Sequence, residues 1–218
     1  MTGEGDEDYL RKLASLLREA GAKRPLAVVV GGGRTARDYI HLGRSLGLNE
    51  IELDELGIVV TRLHAQLIAS LLAPDAPPHP PRSVAEAVAE VGRWPVVVMG
   101  GTEPGHTTDA VAALLAERIR AERMVNATRT AGVYDKDPRK FPDAKRLPLL
   151  LMPVFRDMVL EGTQGLAGQE FPFDRLGVER LSRARIPLAV VDGRDLPQLR
   201  GAIDGKAFQG TLVQPSRD

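Results

Sequence analysis

The sequence predicts an α/β fold, a three-layer α/β/α sandwich around a mostly parallel central sheet. Short apolar runs, among them LAVVV at 26–30 and PVVVM at 95–99, are typical of strands that are buried on both faces. Segments in which leucine and valine recur at helical spacing separate these runs. Strands that alternate with helices in this way indicate a parallel sheet covered by helices on both sides.

The first half of the chain contains the clearest local signals. Leu10 and Leu17 lie on one helical face, and Gly21 follows as a C-terminal glycine. Because proline fixes φ and lacks an N–H, PDAPPHPP (74–81) predicts a stiff loop, after which Ser83 can cap a helix. In order, we predict a helix at 8–20, a strand at 26–30, helices at 35–46 and 56–72, the loop, a helix at 83–91 and a strand at 95–99.

The second half continues the alternation with shorter segments. Val111 and Leu115 share a helical face, and PLAVV (187–191) is another buried-strand run. In order, we predict a helix at 107–121, a strand at 123–128, a polar turn at 135–145, helices at 154–160 and 174–184, a strand at 187–191, a helix at 196–203 and a strand at 210–213. Since the sequence has no internal repeat and no low-complexity linker, we expect a single domain over residues 1–218.

The composition excludes several classes of protein. Lysine plus arginine and aspartate plus glutamate number 29 each, so the chain lacks the basic excess of nucleic-acid and membrane-surface proteins. There is no cysteine for a disulfide framework or a thiolate metal site. No apolar run approaches the roughly 20 residues of a membrane span, and the acidic segment 1–9 is unlike a signal peptide. We therefore expect a cytoplasmic protein with no nucleic-acid or membrane partner.

The glycine run at 31–33 is the first candidate site. It lies between a predicted strand and a predicted helix, where backbone N–H groups and the helix dipole suit a phosphate, and Arg34 and Arg37 follow on the first turns. A tight turn with solvated arginines is the alternative. The run also fits G-x-G-x-x-A with Asp54 about 20 residues on, as in dinucleotide-binding proteins, but no apolar strand leads to Asp54, which disfavours that interpretation.

The same layout recurs after the strand at 95–99. The segment GGTEPGHTTD (100–109) places glycines before a helix that Thr107 or Thr108 can cap. Two such turns in one parallel sheet would lie at the same edge, where ligands of open α/β sheets bind. His106 could contact a ligand or could simply be solvated. The four histidines show no metal-ligand spacing, so we predict no metal-ligating residues.

A third polar segment, NATRTAGVYDKDPRKFPDA (126–144), follows the strand at 123–128. Tyr134 offers a flat face for a base, and Lys136, Arg139 and Lys140 offer charge for a polyphosphate; an ordinary polar turn is the alternative. The sequence has no G-x-x-x-x-G-K-[ST] and no protein-kinase motifs, so it is neither a P-loop enzyme nor a protein kinase.

Taken in order, these segments resemble the archaeal uridylate kinases, members of the amino-acid-kinase superfamily. The matching stretches are VVVGGGRTARDYI (28–40), ELDELGIVVTRLHA (52–65), VVVMGGTEPGHTTDAVAALLAE (96–117), NATRTAGVYDKDPRKFPDAK (126–145), EGTQGLAGQEFPFDRL (161–176) and GTLVQP (210–215). Acetylglutamate, carbamate and isopentenyl phosphate kinases and the molybdenum storage proteins share the fold. The HTTDAVAALLAE and AGVYDKDPR stretches look less like theirs.

The resemblance implies an amino-acid-kinase-like fold and transfer of the ATP γ-phosphate to UMP with Mg²⁺, giving UDP in pyrimidine nucleotide biosynthesis. The UMP-binding half would span about 1–120 and the ATP-binding half about 121–218. Residue by residue, the UMP site would comprise Gly32, Gly33, Arg37, Asp54, Thr107 and Thr108, and the ATP site Thr128, Tyr134 and Asp137. Asp174 matches the aspartate that orients the catalytic lysine. The family forms hexamers built from dimers, so a homo-oligomer is implied, with the apolar helix at 52–72 as part of the resemblance.

The sequence departs from the family pattern in three places. The first strand, with its lysine and glycine pair, is missing from the sequence as given, which implies slow transfer or none by this chain. The T-N-x-D-G pattern reads TRTAG (128–132), and Glu179 stands where a lysine is usual. These departures leave two alternatives open: a non-catalytic nucleotide-binding homologue or assembly subunit of the same fold, and a kinase for another small phosphate acceptor.

Overall fold

The protein is an α/β structure whose sheets are dominated by parallel pairing, as a computed structural model shows for residues 6–162 and 173–216. The predicted fold class is thereby confirmed. The chain divides into two compact units, which meet in sequence between Leu115 and Ala116.

The first unit is built on two parallel strands. Its helices are α1 (Asp6–Gly21), α2 (Gly33–Ser45), α3 (Glu50–Leu72) and α4 (Val84–Glu90), and its strands are β1 (Leu26–Val29) and β2 (Val96–Met99). The two strands pair in register from Leu26 opposite Val96 to Val29 opposite Met99. Every residue of β2 is buried, as the uninterrupted apolar run predicts. The same prediction is wrong for β1, whose four residues are all only half-buried.

Helix α3 is the central helix of this unit, and it packs against α1, α2 and β2. It begins six residues earlier than predicted, because Asn49 and Glu52 form a capping box around its first turn. By length and composition alone, α3 could cross a membrane. The same properties are found in core helices of soluble proteins, so they are weak evidence for a span.

The second unit contains a four-stranded sheet with the order β3-β5-β6-β4. Its elements are β3 (Met124–Thr128), β4 (Leu149–Leu151), α6 (Met152–Gly162), α7 (Arg175–Ala184), β5 (Leu188–Asp192), α8 (Leu196–Asp204) and β6 (Thr211–Gln214), while α5 (Thr108–Arg118) begins in the first unit and ends in the second. Strand β3 pairs in parallel with β5, and β4 with β6. The pairing between β5 and β6 is antiparallel.

One strand of this unit was not predicted, and one predicted segment cannot be compared with the structure. Strand β4 was not predicted, since a run of three leucines that continues directly into α6 is too short to show a strand period. Most of the segment 161–176, which carries part of the family resemblance, lies outside the described residues.

Candidate functional site

The first glycine loop joins β1 to α2 in the predicted manner. Gly32 is the N-cap residue of α2, and no side chain caps this helix end. A Cβ atom on Gly32 would lie only 2.3 Å from the Cβ of Ala36, so no larger residue fits at this position. Gly33 has φ +59°, a left-handed conformation that favours glycine. The loop therefore presents bare backbone at an open helix N-terminus, a suitable environment for an anion.

The second glycine loop lies directly beside the first. The N–H of Val30 donates to the carbonyl of Met99 at 2.9 Å, so the two loops begin side by side at the ends of β1 and β2. The Thr107 hydroxyl accepts the N–H of Ala110 at 3.1 Å and thus caps α5. The hydroxyl oxygen of Thr108 lies 3.6 Å from where a Cβ on Gly31 would be. The structure therefore brings the 31–33 and 107–108 segments together at one edge.

Arg37 and Asp54, the charged members of the predicted UMP site, lie in different environments. Arg37 is exposed on α2, and within residues 6–162 and 173–216 it has no hydrogen-bond or ion-pair partner. Its neighbour Arg34 lies 3.5 Å from Asp38. Asp54, on α3, accepts the N–H of Gly105 at 2.8 Å and so holds the loop that precedes Thr107. Arg37 thus has its guanidinium available for an added anion.

Sequence reasoning missed a group of residues on α3 that contact both glycine loops. They lie in residues 58–64, the support segment. Thr61 and Arg62 bond to the backbone of the second loop, and the ring of His64 bonds to the first. The available signal was the presence of polar residues in an otherwise apolar helix, because a buried polar side chain needs a partner.

In the second unit, Thr128 ends β3 and its hydroxyl is engaged locally. It donates to the carbonyl of Thr130 at 2.9 Å and accepts the N–H of the same residue at 3.1 Å, which fixes the turn that follows the strand. Asp192 lies opposite Thr128 in the sheet register. Hydrogen bonds from Arg194 lower the pKa of Asp192, and Asp192 in turn raises the pKa of Arg194.

Asp137 and Tyr134 lie in the polar turn after β3. Asp137 is only 8% exposed, and its two carboxylate oxygens accept from Arg139 at distances of 3.0 to 3.2 Å. These hydrogen bonds hold the pKa of Asp137 below its ordinary value, so the group is ionised and paired at neutral pH. Tyr134 is half-buried, and its backbone forms an antiparallel bridge with Arg146. The turn is therefore organised around an ionised carboxylate whose charge is paired with Arg139.

Asp174 is the N-cap residue of α7. One of its oxygens, Oδ1, accepts the N–H of Gly177 at 2.9 Å. Glu179, which replaces the usual lysine, lies on the same helix with its carboxylate 3.7 Å from Arg175. Among the described residues no partner uses the Oδ2 atom of Asp174. Asp174 thus has a structural role at the helix end and a second oxygen available for a cation.

The comparisons with known proteins all match the chain to kinases. The amino acid kinase family matches residues 1–192. The chain is 44% identical to a uridylate kinase of Methanospirillum hungatei over 95% of its own length and 88% of that protein. It is 44% identical to one of Thermoplasma volcanium, covering 96% of the chain and 90% of the relative. The crystal structure of a uridylate kinase from Archaeoglobus fulgidus superposes with a TM-score of 0.85 at 36% identity, covering 96% of this chain and 94% of that one.

Proposed function

Because the chain belongs to the amino acid kinase family and, within it, to the uridylate kinases, we propose that it transfers the γ-phosphoryl group of ATP to UMP, giving UDP and ADP. The observation that carries the acceptor half of this proposal is the pair of glycine loops at the ends of adjacent parallel strands. Bare backbone N–H groups and an uncapped helix N-terminus suit the phosphate of a nucleotide.

The proposed UMP site lies within the first unit. The amides of Gly32 and Gly33 and the guanidinium of Arg37 would bind the phosphate. No side chain caps this helix end, and the guanidinium has no hydrogen-bond or ion-pair partner among the described residues. Asp54 would accept a ribose hydroxyl, with its second oxygen retaining the N–H of Gly105. Thr107 and Thr108 would complete the site. The Thr107 hydroxyl caps α5, and the Thr108 hydroxyl lies beside Gly31 of the first loop.

The chemistry needs position and positive charge more than a proton acceptor. An oxygen of the UMP phosphate attacks the γ-phosphorus of ATP, and the bond from that phosphorus to the oxygen bridging to the β-phosphate breaks, so that ADP leaves. The second pKa of a phosphate monoester is about 6, so the attacking oxygen carries no proton at neutral pH. Catalysis then consists of alignment and of stabilising the negative charge on the transferred group.

The proposed ATP site lies within the second unit, at Thr128, Tyr134 and Asp137. Mg²⁺ would arrive with the nucleotide, because this ion is commonly held by substrate phosphates and only one or two carboxylates. Residues 6–162 and 173–216 contain no cluster of three or more His, Asp or Glu side chains that could bind a metal by themselves. The Oδ2 atom of Asp174 is a suitable carboxylate oxygen for a cation beside the phosphates.

A coupled assay tests the function directly. With ATP and Mg²⁺, we expect UDP formation from UMP and much lower rates with CMP, AMP or GMP, and titration calorimetry should show UMP binding without ATP. Equal rates for UMP and AMP would contradict a uridylate kinase. Tight binding of UMP without any UDP formation would instead support the non-catalytic homologue.

We also propose a cytoplasmic homo-oligomer, most simply a hexamer, assembled in part through the apolar stripe of α3. The stripe comprises three exposed residues at intervals of four positions: Val59, Leu63 and Leu67. Val59 and Leu63 are 62% and 63% exposed, respectively. A line of large apolar side chains in contact with water supports the proposal that another subunit would cover this surface.

Changing Leu63 to aspartate should break this assembly, because the interface would then bury a carboxylate without a partner. In light scattering at micromolar concentration, we expect the unaltered chain to give a multiple of 23.6 kDa and Leu63→Asp to give a smaller assembly. Leu176→Asp is the control, since Leu176 is also an exposed leucine, at 44%. A monomeric mass for the unaltered chain would refute the oligomer.

A further inference from the structure

The support segment of α3 fixes the backbone of the first glycine loop through one buried side chain. His64 is only 6% exposed, and its Nδ1 lies 3.0 Å from the carbonyl oxygen of Gly31. A carbonyl oxygen only accepts hydrogen bonds, so Nδ1 carries the proton and donates it. The direction of the Gly31 carbonyl is therefore set by a side chain from a different element.

The same segment fixes the second loop. The Thr61 hydroxyl accepts the N–H of Gly101 at 2.7 Å and donates to the carbonyl of Ile58 at 2.6 Å. Arg62 donates to the carbonyls of Gly101 at 3.1 Å and Thr102 at 2.8 Å. A Cβ on Gly100 would lie 2.7 Å from the backbone nitrogen of Arg62, so this loop rests directly on the helix.

The bond to His64 has a consequence for the proposed phosphate site. In a planar trans peptide, the C=O of one residue and the N–H of the next point in opposite directions. With the Gly31 carbonyl directed at α3, the N–H of Gly32 is directed away from it. Glycines on both sides would otherwise let this peptide rotate easily, because neither residue has a Cβ to restrict φ and ψ.

We propose that His64 is a positioning residue for the UMP phosphate, acting through the peptide between Gly31 and Gly32. This inference rests on the proposed function and adds a residue to it. His64 selects the peptide orientation in which the Gly32 N–H is available to the phosphate, and it touches no substrate atom itself. Its loss should therefore weaken UMP binding, leave ATP binding unchanged and change kcat little at saturating UMP.

Three variants at this position separate the hydrogen bond from packing. His64→Leu removes the donor. His64→Asn keeps an N–H₂ group close to the place of Nδ1, whereas the amide of His64→Gln lies one bond farther along. Gln66→Leu is the matched control, because Gln66 lies on the same helix and donates to the carbonyl of Pro78 at 3.0 Å, away from both glycine loops.

Titration calorimetry with UMP and with ATP, together with steady-state kinetics and thermal unfolding, tests the proposal on the full chain. We expect His64→Leu to raise the Kd and KM for UMP by about 3- to 10-fold, the range for one net hydrogen bond, and His64→Asn to restore most of that loss. Unchanged UMP affinity in His64→Leu, or equal losses for UMP and ATP, would overturn the inference. If His64→Leu fails to fold, a His64→Asn variant that binds UMP no better than His64→Gln overturns it.

The outcome for the unaltered chain distinguishes this inference from the function on which it rests. Absence of UMP binding by the unaltered protein would overturn both. Normal UMP binding that is insensitive to His64 would overturn only the positioning role. The Gly32 amide resonance in UMP-free protein gives a second readout, which we expect to shift in His64→Leu and to return towards its original position in His64→Asn.

Discussion

Replacing Arg37 with alanine is expected to raise the dissociation constant for UMP by about 10- to 150-fold, corresponding to the 1.5–3 kcal/mol typical of a hydrogen bond to a charged group. The guanidinium is exposed and has no partner among the described residues, so it loses no existing ion pair when it binds a phosphate. Titration calorimetry with UMP measures the change directly. The thermal stability of the variant should be nearly unchanged, because the side chain removed is exposed and forms no hydrogen bond or ion pair with the described residues.

Arg34→Ala is the matched control for Arg37→Ala. Both arginines are exposed on the first two turns of α2 and both carry one positive charge, but Arg34 lies 3.5 Å from Asp38. If UMP were held only by general electrostatic attraction, the two substitutions would weaken UMP binding equally. We expect Arg34→Ala to change the Kd much less, and equal losses would remove the specific role of Arg37.

The second large effect is expected at Asp174, where two substitutions separate stability from activity. Asparagine is as good an N-cap as aspartate, so Asp174→Asn should keep the bond to the Gly177 N–H and the stability of α7. It removes the negative charge that would orient a cation beside the phosphates. We expect kcat to fall about 10²-fold, similar to the loss of one preorganised charge contact, with the melting temperature nearly unchanged.

Asp174→Ala should lose both properties. Without a side-chain acceptor at the N-cap, the protein loses about 0.5–2 kcal/mol of stability in addition to the catalytic defect. Steady-state kinetics and calorimetric unfolding on the two variants make the comparison. If Asp174→Asn retained full kcat, Asp174 would be a capping residue and nothing more.

The sequence predicted the glycine loops well because their structure is local. An apolar strand, glycines and a helix in succession leave few ways for the chain to fold, and the parallel pairing of β1 and β2 then makes the loops neighbours. The early start of α3 was missed, although Asn49 and Glu52 form a capping-box pair, because the apolar helical period becomes clear only after the first turn.

The contacts of the support segment could not be predicted in the same way. Which carbonyl His64 meets depends on how α3 packs against β2 and beside the loop that follows β1, and that packing is a tertiary property with no local pattern. The two roles of Asp174, as a helix cap and as a residue proposed to lie near the phosphates, could not both be predicted for a similar reason. The resemblance pointed to a role near the phosphates, whereas the helix cap became visible only with the geometry of α7. The assigned roles of the UMP and ATP residues stay predictions.

The dependence of both glycine loops on one helix limits where the chain can gain or lose residues. Each residue of an α-helix advances the side-chain direction by about 100°. One insertion between Thr61 and His64 would turn the imidazole away from Gly31 while Thr61 still faced Gly101. An insertion before Ile58 or after His64 leaves the relative directions of the Thr61 and His64 side chains unchanged. Length changes in related kinases should therefore accumulate at the ends of this helix and be absent from the seven positions between 58 and 64.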